Sequence, residues 1–70
     1  MSYNNVYDGY GRRIGQTNSR NDVTYAQDSS GRNLGYYNKK SNTTFDANGR
    51  RVGTGDMSNA LILDNARKKN

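Results

Sequence analysis

The sequence contains no histidine, cysteine, proline, tryptophan or glutamate. Without an imidazole or a thiol there is no ordinary zinc site, disulfide framework, thiol nucleophile or imidazole base. Long apolar runs are missing too: nothing approaches the roughly 18 residues of a membrane span, and the only run of three aliphatics is Leu61-Ile62-Leu63. The start, Met1-Ser2-Tyr3-Asn4-Asn5, has no basic stretch followed by an apolar one, so no cleavable secretory signal is read. The expectation is a cytoplasmic protein, with signal-independent export left open. Aliphatic mass is scarce as well. Leu, Ile, Val and Phe number nine of 70 residues, below the roughly 20% that an ordinary core requires.

Turn-forming and basic residues fill the space left. Asn, Gly, Ser, Thr and Asp make up 36 of the 70 residues. Lys and Arg number 11 against 6 acids, all Asp, for a net charge of +5. Six Tyr offset the shortage of aliphatics, because each ring covers area while its hydroxyl stays wet. A chain this short buries only about 60% of its unfolded surface. Marginal stability as a lone monomer, helped by self-association or a partner, is therefore expected.

Three segments align without gaps: residues 7–15, 27–35 and 45–53, offset by 20 and 18. Their shared pattern is Asp-x-x-Gly-Arg-x-(Ile/Leu/Val)-Gly, and its physical meaning is a reverse turn. Asp at the first position caps the amides ahead, and the Gly takes the left-handed conformation that closes a bulged hairpin. The flanks read as short strands: Val6-Tyr7 into Arg12–Ile14, Val23–Gln27 into Arg32–Tyr37, and Thr43–Phe45 into Arg50–Val52. Register stays open, since a bulged turn pairs Asp46 with Arg50, whereas a two-residue Asn48-Gly49 turn pairs Phe45 with Val52. Gln16–Asp22 and Asn38–Asn42 read as polar connections between hairpins. The predicted fold is mainly β: a three-hairpin antiparallel meander, closed into a small barrel or stacked as blades, followed by a short C-terminal α-helix.

The chain divides into a hairpin-repeat region, 1–55, and a helix with a basic tail, 56–70, within one domain. Gly53-Thr54-Gly55 is the break, and Asp56–Lys69 reads as the helix, capped by Asp56 or Ser58. Arg67, Lys68 and Lys69 suit the negative end of its dipole. Met57, Ala60 and Leu61 share a face that Ile62 and Leu63 widen. That face covers the sheet, or else docks on another chain or a membrane surface.

The units Tyr7-Asp8-Gly9-Tyr10-Gly11-Arg12 and Phe45-Asp46-Ala47-Asn48-Gly49-Arg50 resemble the Tyr-Asp-x-x-Gly-Arg unit of bacterial YD-repeat (Rhs-like) proteins. They are similar also to small bacterial proteins built from Asp-x-x-Gly-Arg-x-x-Gly hairpins. The resemblance covers residues 6–53 and implies a hairpin architecture, a bacterial or phage setting and, for repeats of that kind, binding of surface sugars.

Catalytic readings are weak. Gly9-Tyr10-Gly11 and Gly53-Thr54-Gly55 match neither the Walker pattern nor a dinucleotide fingerprint. Asp8, Asp28 and Asp46 occupy one turn position, where capping accounts for them better than paired-carboxylate hydrolysis. Asp46-x-Asn48-Gly49 echoes a calcium loop but lacks its closing Glu. No enzyme, cofactor or metal is expected.

The candidate binding residues are Arg12, Arg13, Arg32, Arg50 and Arg51 with Tyr10, Tyr36 and Tyr37. Stacked hairpins would set the arginines in a row beside aromatic rings, including Tyr7, Tyr25 and Phe45. The bland alternative pairs each Arg with its own turn Asp and puts the Tyr rings in the core. Tyr and Arg are the side chains most enriched at protein interfaces, so the expected partner is a protein or a second copy. The other readings are single-stranded nucleic acid, held by charge along its backbone and rings against its bases, and glycan.

Overall fold

The computed structural model describes residues 2–68. Six strands follow in order: β1 (Ser2–Tyr7), β2 (Arg13–Arg20), β3 (Val23–Asp28), β4 (Asn33–Asn38), β5 (Thr43–Asp46) and β6 (Arg51–Thr54). They form one antiparallel sheet in chain order, and the helix α1 (Ser58–Lys68) closes the described chain. The sheet is open, with β1 and β6 as its edges, which excludes both the barrel and the stacked blades. Nor are there three separate hairpins: β2 pairs with β3 from Gly15↔Asp28 to Arg20↔Val23, and β4 with β5 from Gly35↔Asp46 to Asn38↔Thr43. Gln16–Arg20 is thus strand rather than connection, and the turn after it is confined to Asn21 and Asp22.

The three repeats fold alike. In the first, the Asp8 amide donates to the Arg12 carbonyl at 2.9 Å, and Gly11 donates to the Asp8 carbonyl at 3.1 Å. The Asp8 carboxylate accepts from the amides of Tyr10 and Arg12 at 2.9 and 3.0 Å. Asp28 and Asp46 repeat all four bonds with Ser30, Gly31 and Arg32, and with Asn48, Gly49 and Arg50. Gly11, Gly31 and Gly49 stand at φ of 82°, 88° and 83°, the left-handed region that closes such a turn. The bulged turn is therefore the one formed, and Phe45 faces Arg51, not Val52.

Each repeat then carries a bulge on its second strand. Ile14, Leu34 and Val52 are the extra residues, lying between partners that face Tyr7 and Val6, Gln27 and Ala26, and Phe45 and Thr44. The bulge aims the aliphatic to the same side as the Gly after it. Ile14 lines a cleft with Leu63 and Ala66, and Val52 lines one with Met57 and Leu61.

Beneath α1 the glycines form a floor. A Cβ on Gly15 would meet the Gln27 carbonyl and, at 2.7 Å, Ile62. One on Gly35 would meet Leu61 at 2.7 Å, and one on Gly53 would meet the Met57 sulfur at 2.6 Å. Gly15 and Gly35 thus let α1 approach the sheet closely over strands β2, β3 and β4, and Gly53 makes the same room for Met57 just before the helix. Ala26 and Ile62 are the buried hydrophobic residues at this seam.

The helix begins later than its sequence suggests. Asp56 Oδ1 accepts from the Ser58 amide at 3.0 Å and its hydroxyl at 2.7 Å, so Asp56 caps from just outside the helix. Thr44, wholly buried, fixes the entry: its hydroxyl donates to the Gly55 carbonyl at 2.7 Å and accepts from the Met57 amide at 3.0 Å. The inward face is Met57, Ser58, Leu61, Ile62, Asn65 and Ala66, whereas Ala60 and Leu63 are exposed. Lys69 and Asn70 lie outside the described residues. No helix among the described residues is long and apolar enough to cross a membrane.

Candidate binding face

Residues directly opposite in an antiparallel sheet project to the same side. The helix takes the side of Gly15, Thr17, Ala26, Asp28, Gly35 and Thr44. On the other side two rows cross the strands, and among the described residues no element packs over them.

The first row runs Tyr3, Asn18, Tyr25, Tyr36, Phe45, Arg51. Tyr36 stacks on Phe45 with centroids 5.1 Å apart and planes at 28°, and meets Tyr25 at 6.3 Å, tilted by 47°. Each ring shields its neighbours, so Tyr25, Tyr36 and Phe45 are half-buried, while Tyr3 on the edge strand is 61% exposed. Asn18 interrupts the row, and its Oδ1 is buried without a hydrogen-bond partner among the described residues.

The second row is made of amides: Asn5, Gln16, Gln27 and Asn33. Gln16 Nε2 donates to Gln27 Oε1 at 2.6 Å, and Gln27 Nε2 donates to Asn33 Oδ1 at 3.1 Å. Arg13 holds the other end, with Nε to Asn5 Oδ1 at 3.0 Å, one terminal nitrogen to Gln16 Oε1 at 2.6 Å, and the other to the Ser29 carbonyl at 3.3 Å. The chain of amides fixes each side chain's orientation and leaves the guanidinium anchored at the rim.

Of the residues picked out from sequence, Arg13, Arg51 and Tyr36 lie on this helix-free face, Tyr36 and Arg51 along the ring row and Arg13 four strands from Arg51 beside the amide row. Tyr37 does not: it lies opposite Thr24 and Thr44, on the helix side, and its hydroxyl donates to Asn42 Oδ1 at 2.8 Å. Arg12, Arg32, Arg50 and Tyr10 sit on the three repeat turns, which share one end of the sheet. Tyr10 is 88% exposed there, and the Arg12 guanidinium carbon lies 5.7 Å from its ring centroid. Pairing of each Arg with its own turn Asp holds for Arg12, 3.1 Å from Asp8, whereas Asp46 uses its carboxylate on backbone amides. The Asp8 carboxyl is held below its ordinary value of 3.8, chiefly by the Arg12 amide, with burial opposing and the Tyr10 amide and Arg12 guanidinium adding.

An open cleft of about 500 Å³ lies at the same end, where Arg12, Arg13 and Arg67 meet Asp8, Ile14 and Leu63. Three guanidinium groups against one carboxylate make this rim attractive to anions. Among the described residues no three metal-ligating side chains gather. The amide row and Tyr3 were not picked out from sequence. Their signal is the period-2 alternation of Tyr3-x-Asn5, Gln16-x-Asn18 and Tyr25-x-Gln27.

Comparison with family models, curated proteins and solved structures finds no match.

Proposed function

We propose that the protein is a non-catalytic binding module whose helix-free face docks on an acidic protein surface. One observation carries this reading: the Tyr25–Tyr36–Phe45 row lies on the helix-free face with Arg51 directly opposite Phe45 at its end, and Arg13 stands on the same face across the amide row. Aromatic and Arg side chains are the commonest anchors at protein interfaces. The net charge of +5 steers such a module toward partners of opposite sign. The apolar seam under α1 is thin, and a partner on the opposite face stabilises the sheet by mass action.

A second reading rests on the same stacked pair. Rings beside guanidinium groups also suit single-stranded nucleic acid, whose bases stack and whose phosphates pair with Arg.

The test compares wild type with a Tyr36→Ser, Phe45→Ser double variant whose fold is checked by circular dichroism. Affinity capture from a cell extract should recover acidic proteins with wild type and lose them with the variant. Equal capture by both would remove the face from the account. Gel shifts with short single-stranded oligonucleotides at about 50 and about 200 mM salt separate the two readings: a shift that collapses steeply with salt favours nucleic acid.

A further inference from the structure

The two edges of the sheet are unlike. β6 is short, carries its own bulge at Val52 and bears Arg51. These are devices that keep an edge from pairing with foreign strands. β1 has none of them: Ser2–Tyr7 is six residues with no charge, proline or glycine, and the extra residue opposite it belongs to β2.

The free groups of β1 follow from its turn. Asp8 directs its amide and carbonyl to Arg12 and Gly11, toward β2. Alternation then turns those of Asn4 and Val6 toward β2 as well, and those of Tyr3, Asn5 and Tyr7 outward. These same three residues share the helix-free side, where Tyr3 and Tyr7 are 61% and 55% exposed. Read outward from Asn5, the edge is a palindrome: tyrosine, asparagine, tyrosine.

We propose that β1 pairs antiparallel with β1 of a second copy about a two-fold axis at Asn5. Tyr3 then faces the partner's Tyr7, Asn5 faces its own counterpart, and every outward amide and carbonyl of Tyr3, Asn5 and Tyr7 is bonded. No other register that keeps like faces together uses all of them. The axis stands perpendicular to the sheet, so both helices stay on one side. The amide row runs on through the two Asn5 residues into that of the second copy, eight strands in all, and the bulged β6 edges end the assembly at two copies. A strand from an unrelated protein would meet the same backbone groups, but only a second copy reproduces the palindrome. The pairing stands apart from the function proposed above, because it uses the edge and not the face.

The whole chain, followed by light scattering over a concentration series, should reach twice the monomer mass and stop there. Asn5→Lys sets two ammonium groups opposite each other and should weaken dimerisation about tenfold or more, whereas Thr54→Lys on β6 should leave it unchanged. Since the chain has no cysteine, cross-linking reads the register. Asn5→Cys places two Cα atoms about 5.5 Å apart, within disulfide reach. Asn4→Cys places them about 8 Å apart, beyond it. Rapid covalent dimer from Asn5→Cys alone supports the register. A monomer up to about 1 mM, a range reserved for the weakest specific contacts, overturns the pairing. So does equal cross-linking by both variants, or growth past two copies.

Discussion

Gly9 and Gly15 belong to the same repeat, yet an added methyl group meets opposite conditions at the two. At Gly9 nothing lies within 4 Å, whereas at Gly15 the new carbon runs into the Gln27 carbonyl and Ile62. Gly15→Ala should therefore lower unfolding free energy by about 1–3 kcal/mol, as overpacking does. Gly9→Ala should stay within about 0.5 kcal/mol. Urea unfolding of the pair measures both, and equal losses would mean that the floor beneath α1 does not limit the approach. Asp8 provides a second residue-scale expectation. Its carboxyl sits below its ordinary value of 3.8 because the Arg12 and Tyr10 amides and the Arg12 guanidinium favour the charged form. A carboxyl depressed on folding contributes stability that is complete above its unfolded value and is lost as pH falls through the folded one. Unfolding free energy should thus decline below the ordinary value, and Asp8→Asn should flatten that part of the profile. An NMR titration of the Asp8 carboxyl checks the direction directly.

Among the elements, α1 depends on a hydroxyl from the sheet. Thr44 is the buried bridge between Gly55 and Met57. Thr44→Val keeps the shape but removes the partner of the part-buried Gly55 carbonyl and Met57 amide, at about 1–3 kcal/mol in all. The far-ultraviolet dichroism of the helix should fall at a lower urea concentration than in wild type. The strands should persist longer than the helix if docking alone is weakened. How far such elements are legible in the chain depends on whether their cause is local. The Asp-to-Gly turn carries its own hydrogen bonds, so all three turns can be read directly. Helix α1 is legible as an amphipathic stripe, though its outward Ala60 and Leu63 are not, because adjacent aliphatics leave the facing angle undetermined. Gln16–Arg20 reads as a polar connection, yet it is strand, held by cross-strand partners far along the chain. Tyr36 and Tyr37 look like one pair and lie on opposite faces, because the strand's period of two outranks their adjacency. The bulge that turns Ile14, Leu34 and Val52 toward the helix depends on a register no single repeat specifies.

The whole molecule is a two-layer structure with almost no interior. One layer is a polar sheet, the other a single helix, and Ile62 is the largest side chain fully buried between them. A 70-residue chain ordinarily has roughly 4–10 kcal/mol of stability in total, and removing a buried Ile side chain down to Ala costs about 2–5. Ile62→Ala should therefore take away a large share of the folded state. Leu63, its neighbour in sequence, is 42% exposed, and Leu63→Ala should change stability by no more than about 0.5 kcal/mol. The two variants delete similar side chains from consecutive positions, so helix propensity and composition largely cancel between them. Denaturant midpoints followed at once by far-ultraviolet dichroism and tyrosine fluorescence decide the matter. A shared, early transition for Ile62→Ala means that sheet and helix form one cooperative unit hinged on the glycine floor. If the tyrosine signal instead survives loss of the helix, the aromatic row holds the sheet together by itself, and the helix is a cover and not the core.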